Sequence, residues 1–181
     1  MEMIKIRNIY LLVGPSGSGK TTVAYELCKR YGLSEVISYT TRKRRHGEGN
    51  THIFVNQRGF DAIRNELVAY TKFDSCEYGV PSSSIEENDL YVIDPAGIRF
   101  FKKAYKGNKQ HKVIFITAPE DYCHMRMIER GDKPLDIARR LANDKQEFYG
   151  AEKLADYIIT NYNLNKCVKD IWNYIQACER T

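Results

Sequence analysis

Residues 6–22 read IRNIYLLVGPSGSGKTT, and the fold is decided there. IRNIYLLV (6–13) is a short apolar, β-branched run that ends at a glycine, the pattern of a buried strand. Gly14-Pro15-Ser16-Gly17-Ser18-Gly19-Lys20-Thr21 fits GxxxxGK[ST] at every fixed position, after an apolar strand and before a helix, the context this motif requires. VAYELCKRYGL follows with helical spacing and a stop near Gly32. Glycines let the backbone curl round phosphate with N–H groups inward, and the helix N-terminus adds partial positive charge. Residues 14–21 with Thr22 therefore form the expected cradle for a nucleoside triphosphate such as ATP. Lys20 is placed for the β- and γ-phosphates, and the Thr21 hydroxyl for Mg²⁺. The motif specifies the ligand class and leaves the reaction open.

Outward from this stretch, DLYVID (89–94), KVIFIT (112–117) and DYIIT (156–160) repeat the buried-strand pattern. Residues 119–130, 134–149 and 164–178 alternate with them and carry helical spacing. Such alternation predicts a parallel, three-layer α/β sheet. Residues 35–85 differ: VISYTT, THIFV, VAYTKF and EYGV are short strand-like pieces, with one helix near 59–67. They predict a small, mainly antiparallel insertion in the parallel core. No internal repeat, Pro/Gly-rich linker or low-complexity tract interrupts the chain.

At 181 residues the chain matches one domain, and its 43% apolar content can fill a sizeable core. No apolar run reaches the 18 or so residues that a membrane helix needs, so no membrane association is expected. MEMIKIRNIY lacks a signal-peptide pattern, because charges interrupt it. Cysteines 28, 76, 123, 167 and 178 form no CxxC pair and are odd in number. A full disulfide framework and a structural zinc site are both disfavoured, and a cytoplasmic location is expected. They are expected to pack rather than act as nucleophiles, since none has a histidine at a recognisable spacing. Phe148, Tyr149, Tyr157 and Tyr162 are likewise expected to pack rather than stack on a base. The net charge of +5 suits an anionic ligand, nucleotide or nucleic acid. Four cations fall together at 42–45, in SYTTRKRRHG (38–47), where a phosphate ligand would use them, so no specific nucleic-acid partner is expected.

The order of motifs is informative. GPSGSGKTT, then SYTTRxxR, then EYG, then an apolar strand ending in Asp-x-x-Gly, then RxxxRG, together resemble the guanylate kinase family, collinearly over nearly the whole chain. The resemblance implies a three-layer P-loop kinase fold with a parallel central sheet and a small α+β NMP-binding insertion. CORE would cover about 1–34, 86–125 and 150–181, the NMP-binding region 35–85 and the LID 126–149. It implies γ-phosphoryl transfer from Mg·ATP to GMP or dGMP, and a place in purine nucleotide metabolism. Arg42 and Arg45 match the pair that grips the GMP phosphate, Tyr78 a tyrosine donating to it, and Ser38 and Asp94 residues beside the acceptor nucleotide. Arg130 matches a LID arginine on the ATP side, Arg140 the arginine bridging donor and acceptor phosphates, and Asn161 an asparagine near the adenine. Independently of the family, planar guanidinium forks suit phosphate, and Arg130 and Arg140 are placed to neutralise transition-state charge. Asp94 ends a parallel strand, where open α/β sheets bind ligands.

The pattern departs from the family at the base-reading positions. Ala69 stands where the family has a glutamate that pairs with guanine, and Val80 where it has a hydroxyl contact. His52 replaces a phosphate-binding tyrosine, and Val92 an acidic residue. His52 retains a hydrogen bond for phosphate, whereas Ala69 and Val80 have no polar side-chain atom. Glu66, Tyr70 or Lys72 would supply replacement contacts only after a register shift. Phosphoryl transfer to another nucleotide or a phosphorylated sugar, and a phosphopeptide-binding module, are the competing readings. The intact phosphate loop counts against the module.

Overall fold

The computed structural model describes residues 6–44, 52–73 and 75–180. Strand β1 (Asn8–Val13) is buried along its whole length. Its side chains divide by the two-residue period of a strand. Ile9, Leu11 and Val13 enter one apolar cluster, Tyr10 and Leu12 the other. Strand β7 (Gln110–Thr117) divides the same way, Val113 and Phe115 against Ile114 and Ile116. A sheet buried on both faces gives continuous apolar runs, which is why these segments read as unbroken strands.

The main sheet has the order β6-β1-β7-β8, with β6 at Leu90–Val92 and β8 at Tyr157–Thr160, and its pairings are all parallel. Helix α1 (Lys20–Tyr31) follows β1 and packs on the Tyr10 face through Val23, Ala24 and Leu27. Helix α7 (Leu164–Glu179) joins it there through Cys167, Val168, Ile171 and Ile175. The other face is covered by α4 (Pro95–Ala104), which inserts Ile98 and Phe101. The sequence reading did not contain α4. Its start is nonetheless local chemistry: Asp94 caps it by accepting the Gly97 N–H, and Pro95 occupies the first turn.

The insertion forms a second sheet, in the order β3-β2-β5-β4. Its strands are β2 (Tyr39–Thr40), β3 (Ile53–Phe54), β4 (Leu67–Phe73) and β5 (Cys76–Pro81). β2 pairs with β3 in parallel, and both other pairings are antiparallel. VISYTT shrinks to two residues because its partner β3 is itself only two long. Helix α2 (Gln57–Ile63), capped by Asn56, and α3 (Ser82–Glu87) complete this region. Helices α5 (Glu120–Glu129) and α6 (Pro134–Glu147) lie between β7 and β8 in the chain.

Candidate active site

The phosphate loop joins β1 to α1 at the carboxyl edge of the parallel sheet, where such sheets bind ligands. All three of its glycines are required by space as well as conformation, and at Gly17 (φ 75°) a Cβ would stand 2.5 Å from the Cys123 carbonyl oxygen. At Gly14 (φ 155°) a Cβ would stand 1.9 Å from the Ile116 carbonyl oxygen. At Gly19 (φ 96°) it would stand 2.5 Å from the Asn161 side-chain nitrogen. Gly19 caps α1 without a side-chain hydrogen bond, and the first turn has no acidic residue. The open N–H groups and the positive end of the helix dipole thus remain available to an anion.

Two polar cavities meet at this loop. One, of about 560 Å³, is lined by Gly17, Gly19, Lys20, Thr21, Thr22, Arg126, Arg130, Arg140, Asn161, Ser16 and Leu164. The other, of about 410 Å³, has Gly14, Ser16 and Lys20 at the loop, Ser38 and Ala69–Thr71 from the insertion, and Tyr91–Asp94 from the sheet edge. Tyr78, Gly97, Asp144, Glu147 and Phe148 complete its wall. Ser16 and Lys20 line both. Each volume falls within the range of small-molecule sites.

In the first cavity Lys20, Arg126 and Arg130 are turned onto the protein itself. The Lys20 ammonium donates to the carbonyls of Gly14 and Pro15, the latter at 2.9 Å. Burial pushes its pKa down from 10.5 to about 8, against the opposing pull of Asp144. Arg130 pairs with Asp132, Nε to Oδ1 at 3.0 Å. Asp144, on α6, accepts the Ser16 N–H at 2.7 Å and the Ser16 hydroxyl at 3.3 Å. A carboxylate thus sits on the anion-binding loop.

Arg126 was not anticipated as a site residue, although it opens the RxxxRG motif. It lies one helical turn before Arg130 and donates to the Asn161 carbonyl at 2.8 Å and to the Ser18 carbonyl at 3.3 Å. The i, i+4 spacing was the available signal. Asn161 is buried, its amide donates to the Ser18 carbonyl at 2.9 Å, and its Oδ1 and the Ser18 hydroxyl lack partners. Pro15 lies outside both cavities, in a shallower apolar hollow with Cys123 and Tyr149.

In the second cavity, Ser38 is fixed by His52 through a 2.8 Å hydrogen bond, and His52 sets its ring edge-on to Tyr78 at 5.6 Å. Asp94 both caps α4 and lines the cavity, so the capping and ligand-facing roles coincide. Arg42 is not among the lining residues. Its guanidinium stands 5.3 Å from the Phe54 ring and donates to the Lys43 carbonyl at 3.0 Å. Arg45 lies outside the described residues.

Ala69 lines the second cavity and pairs across the sheet with Val80, which is buried in the core. A bulge between Leu67 and Ala69 does shift the register. Of the three replacement candidates, only Tyr70 reaches the cavity, and its hydroxyl donates to Glu77 at 2.8 Å. Lys72 instead pairs across the sheet with Glu77, and Glu66 is exposed. The packing expectation for the aromatics holds for Tyr157, stacked on Tyr174 at 4.5 Å, and not for Tyr149, which is 88% exposed. Phe148 packs edge-on to Phe115 and also lines the cavity. All five cysteines are free thiols, and burial pushes the Cys28 and Cys167 pKa values up to about 11, so neither is a thiolate nucleophile at neutral pH.

A phosphate loop on a parallel sheet flanked by helices, with a mixed-sheet insertion, defines a three-layer α/β protein of the phosphate-loop class. Comparison with known proteins narrows the class. The guanylate kinase family model matches residues 6–178. Guanylate kinase of Wolbachia pipientis wMel is 32% identical over 176 residues, 90% of this chain and 86% of that protein. Guanylate kinase of Thermotoga maritima is 31% identical, over 93% of this chain and 86% of that protein. The crystal structure of guanylate kinase from Anaplasma phagocytophilum aligns with a TM-score of 0.72 at 26% identity, over 99% of this chain and 90% of that one. The chain belongs to the guanylate kinase family.

Proposed function

We propose that the protein transfers the γ-phosphoryl group of Mg·ATP to GMP or dGMP, giving ADP and GDP or dGDP. The observation that carries this reading is the pair of cavities sharing Ser16 and Lys20. A donor in one and an acceptor phosphate in the other would meet at these two residues. Little acid–base chemistry is needed, because the acceptor phosphate is already an anionic nucleophile, so the protein contributes position and charge.

The triphosphate binds along residues 14–22, with Lys20 at the β- and γ-phosphates. Arg126, Arg130 and Arg140 stand on the donor side and offset charge that develops in transfer. Asn161 holds the loop through the Ser18 carbonyl and lies near the adenine. Thr21 would hold Mg²⁺ through its hydroxyl, and the ion would offset phosphate charge there. Among the described residues no three His, Cys, Asp or Glu side chains cluster as metal ligands. One hydroxyl fits Mg²⁺ that arrives on a triphosphate and retains water. On the acceptor side, Tyr78, His52 and Arg42 with Arg45 hold the phosphate, and Ser38 and Asp94 lie beside the nucleoside. Arg42 must leave Phe54 to do so. This assignment divides the chain into CORE, an NMP-binding region over 35–85 and a LID over 126–149.

The test is ADP release measured over a panel of GMP, dGMP, IMP, AMP, pyrimidine monophosphates and sugar phosphates. Turnover with GMP or dGMP above all others supports the reading. Preference for another acceptor keeps the phosphotransfer and removes GMP; Ala69 in the wall of the cavity is the observation that favours this second reading. Absence of turnover with every acceptor overturns both.

A further inference from the structure

Tyr91, in β6, was singled out by neither the motif pattern nor the proposed chemistry. Strand alternation places it, with Ile93, in the apolar cluster that also holds Val36, Val68, Ala69 and Val80. It is only 9% exposed, and what remains open lines the acceptor cavity. Among the described residues its hydroxyl has no hydrogen-bond partner, unlike the buried Tyr10 and the neighbouring Tyr70, whose hydroxyls both have carboxylate partners. A phenol held in the core by its ring, with a hydroxyl that the protein leaves unpaired at a cavity wall, is free to meet a ligand atom there.

The surroundings say what kind of ligand atom meets it. Burial, with the Asp94 charge three residues on, pushes the phenol well above its ordinary pKa, so it stays a neutral O–H at physiological pH. The charged end of the cavity is the loop end, at Ser16 and Lys20. Tyr91 stands instead in a wall of valine, alanine and isoleucine. A stretch of apolar wall with a hydroxyl, and with the Asp94 carboxylate rather than a cation nearby, suits an uncharged heterocycle, and a dianionic phosphate is poorly accommodated there.

We infer that Tyr91 is a specificity-determining residue for the acceptor: its hydroxyl donates a hydrogen bond to an acceptor atom of the nucleobase. The inference rests on the acceptor-site reading above. Ala69, in the same apolar cluster and the same cavity wall, is small and carries no polar atom that could take this hydrogen bond instead. Base reading passes from a charged acceptor of hydrogen bonds to a neutral donor.

The experiment is Tyr91→Phe, assayed for kcat and KM with the best acceptor of the panel and for binding of ribose 5-phosphate, which has no base. Loss of one neutral hydrogen bond is expected to raise acceptor KM about fivefold to tenfold. kcat should stay within about twofold, and ribose 5-phosphate affinity should not move. Because the native hydroxyl is unpaired, the variant should melt no lower than the parent, so a folding defect cannot imitate the result. Unchanged KM overturns the inference, and so does a parallel loss of ribose 5-phosphate affinity, which would place the hydroxyl on sugar or phosphate. If the parent phosphorylates nothing, calorimetry with GMP takes the place of KM: binding weakened in the variant sustains Tyr91 while the kinase reading falls, and no binding by the parent overturns both.

Discussion

The Asp144 carboxylate lies on the Ser16 backbone N–H at 2.7 Å, although the two residues are 128 positions apart. Ser16 belongs to both cavities, so this one contact ties α6 to the place where donor and acceptor phosphates would meet. A carboxylate on an anion-binding loop competes with a phosphate for the same N–H group and repels it. Triphosphate binding therefore requires Asp144 to withdraw. Asp144→Asn is expected to tighten ATP and ADP binding about tenfold, on the scale of one charge-assisted hydrogen bond. Calorimetry on the two proteins checks this. Weaker binding in the variant would show instead that Asp144 works in the nucleotide-bound state.

Lys20 gives two predictions. Lys20→Ala should cost at least about 100-fold in turnover, the scale of one preorganised charge at developing phosphate charge. The second concerns pH. Burial holds the free-state pKa near 8, and a bound triphosphate raises it again. The binding contribution of the ammonium is thus complete below about pH 8 and is lost as pH rises toward the higher value of the complex. ATP affinity should fall by up to about tenfold per pH unit in that window, the limit for one linked proton. Lys20→Arg, which stays charged, should flatten the profile. A parent profile flat from pH 7 to about 10 would contradict the linkage.

The parallel core and the phosphate loop were legible because their causes are local. The two-residue period of β1 and β7 directly sorts their side chains into the two apolar clusters. The glycines of the loop are needed by backbone geometry that the motif already encodes. What was not legible depends on distant partners. The length of β2 is set by β3, and the seat of Asp144 by a loop 128 residues away. Helix α4 was missed although Asp94-Pro95 marks its start, because a strand-ending aspartate and a helix cap look alike in sequence. The seat of Arg42 on Phe54 likewise depends on a neighbouring strand, β3.

Glu179 is a further case of distant pairing. It closes the chain, accepting from Arg7 N at 2.8 Å, Asn8 Nδ2 at 2.8 Å and the Tyr10 hydroxyl at 2.7 Å, so the end of α7 is clipped to the start of β1. Removing the carboxylate strands these donors. Glu179→Ala should therefore cost about 3 kcal/mol, or roughly 10 °C in melting temperature. Burial pushes this carboxyl up, and bonds from Tyr10, Arg7 and Asn8 reverse that, leaving it below its ordinary 4.5. A depressed carboxylate stabilises the fold above the unfolded value, and that share is lost as pH falls through the folded one. Acid melts of parent and variant should converge below pH 4.5. Melting points equal at neutral pH would refute the clip.

The remaining prediction concerns base selectivity. A site that hydrogen-bonds a substrate group rejects analogues lacking it by about 10⁴ or more, because its own polar groups are left unpaired. That penalty needs polar groups already committed to the base. Here Ala69 offers none, Val80 is turned into the core, and Tyr70 is spent on Glu77. Ser38 is held by His52 and Asp94 by the Gly97 N–H, which leaves the hydroxyls of Tyr91 and Thr71; a hydroxyl both donates and accepts, so it discriminates less sharply than a carboxylate given over to the base. Preference for GMP over AMP in kcat/KM is therefore expected near 100-fold, the scale of a pocket that works mainly by shape. Ala69→Glu places a carboxylate on the cavity wall, where it accepts from guanine's N–H groups and repels no donor of the base. It should raise the GMP-to-AMP ratio by at least about tenfold, chiefly by lowering KM for GMP. A parent ratio already above about 10⁴ would mean that groups other than these read the base, and an unchanged ratio in the variant would place Ala69 beyond reach of the base.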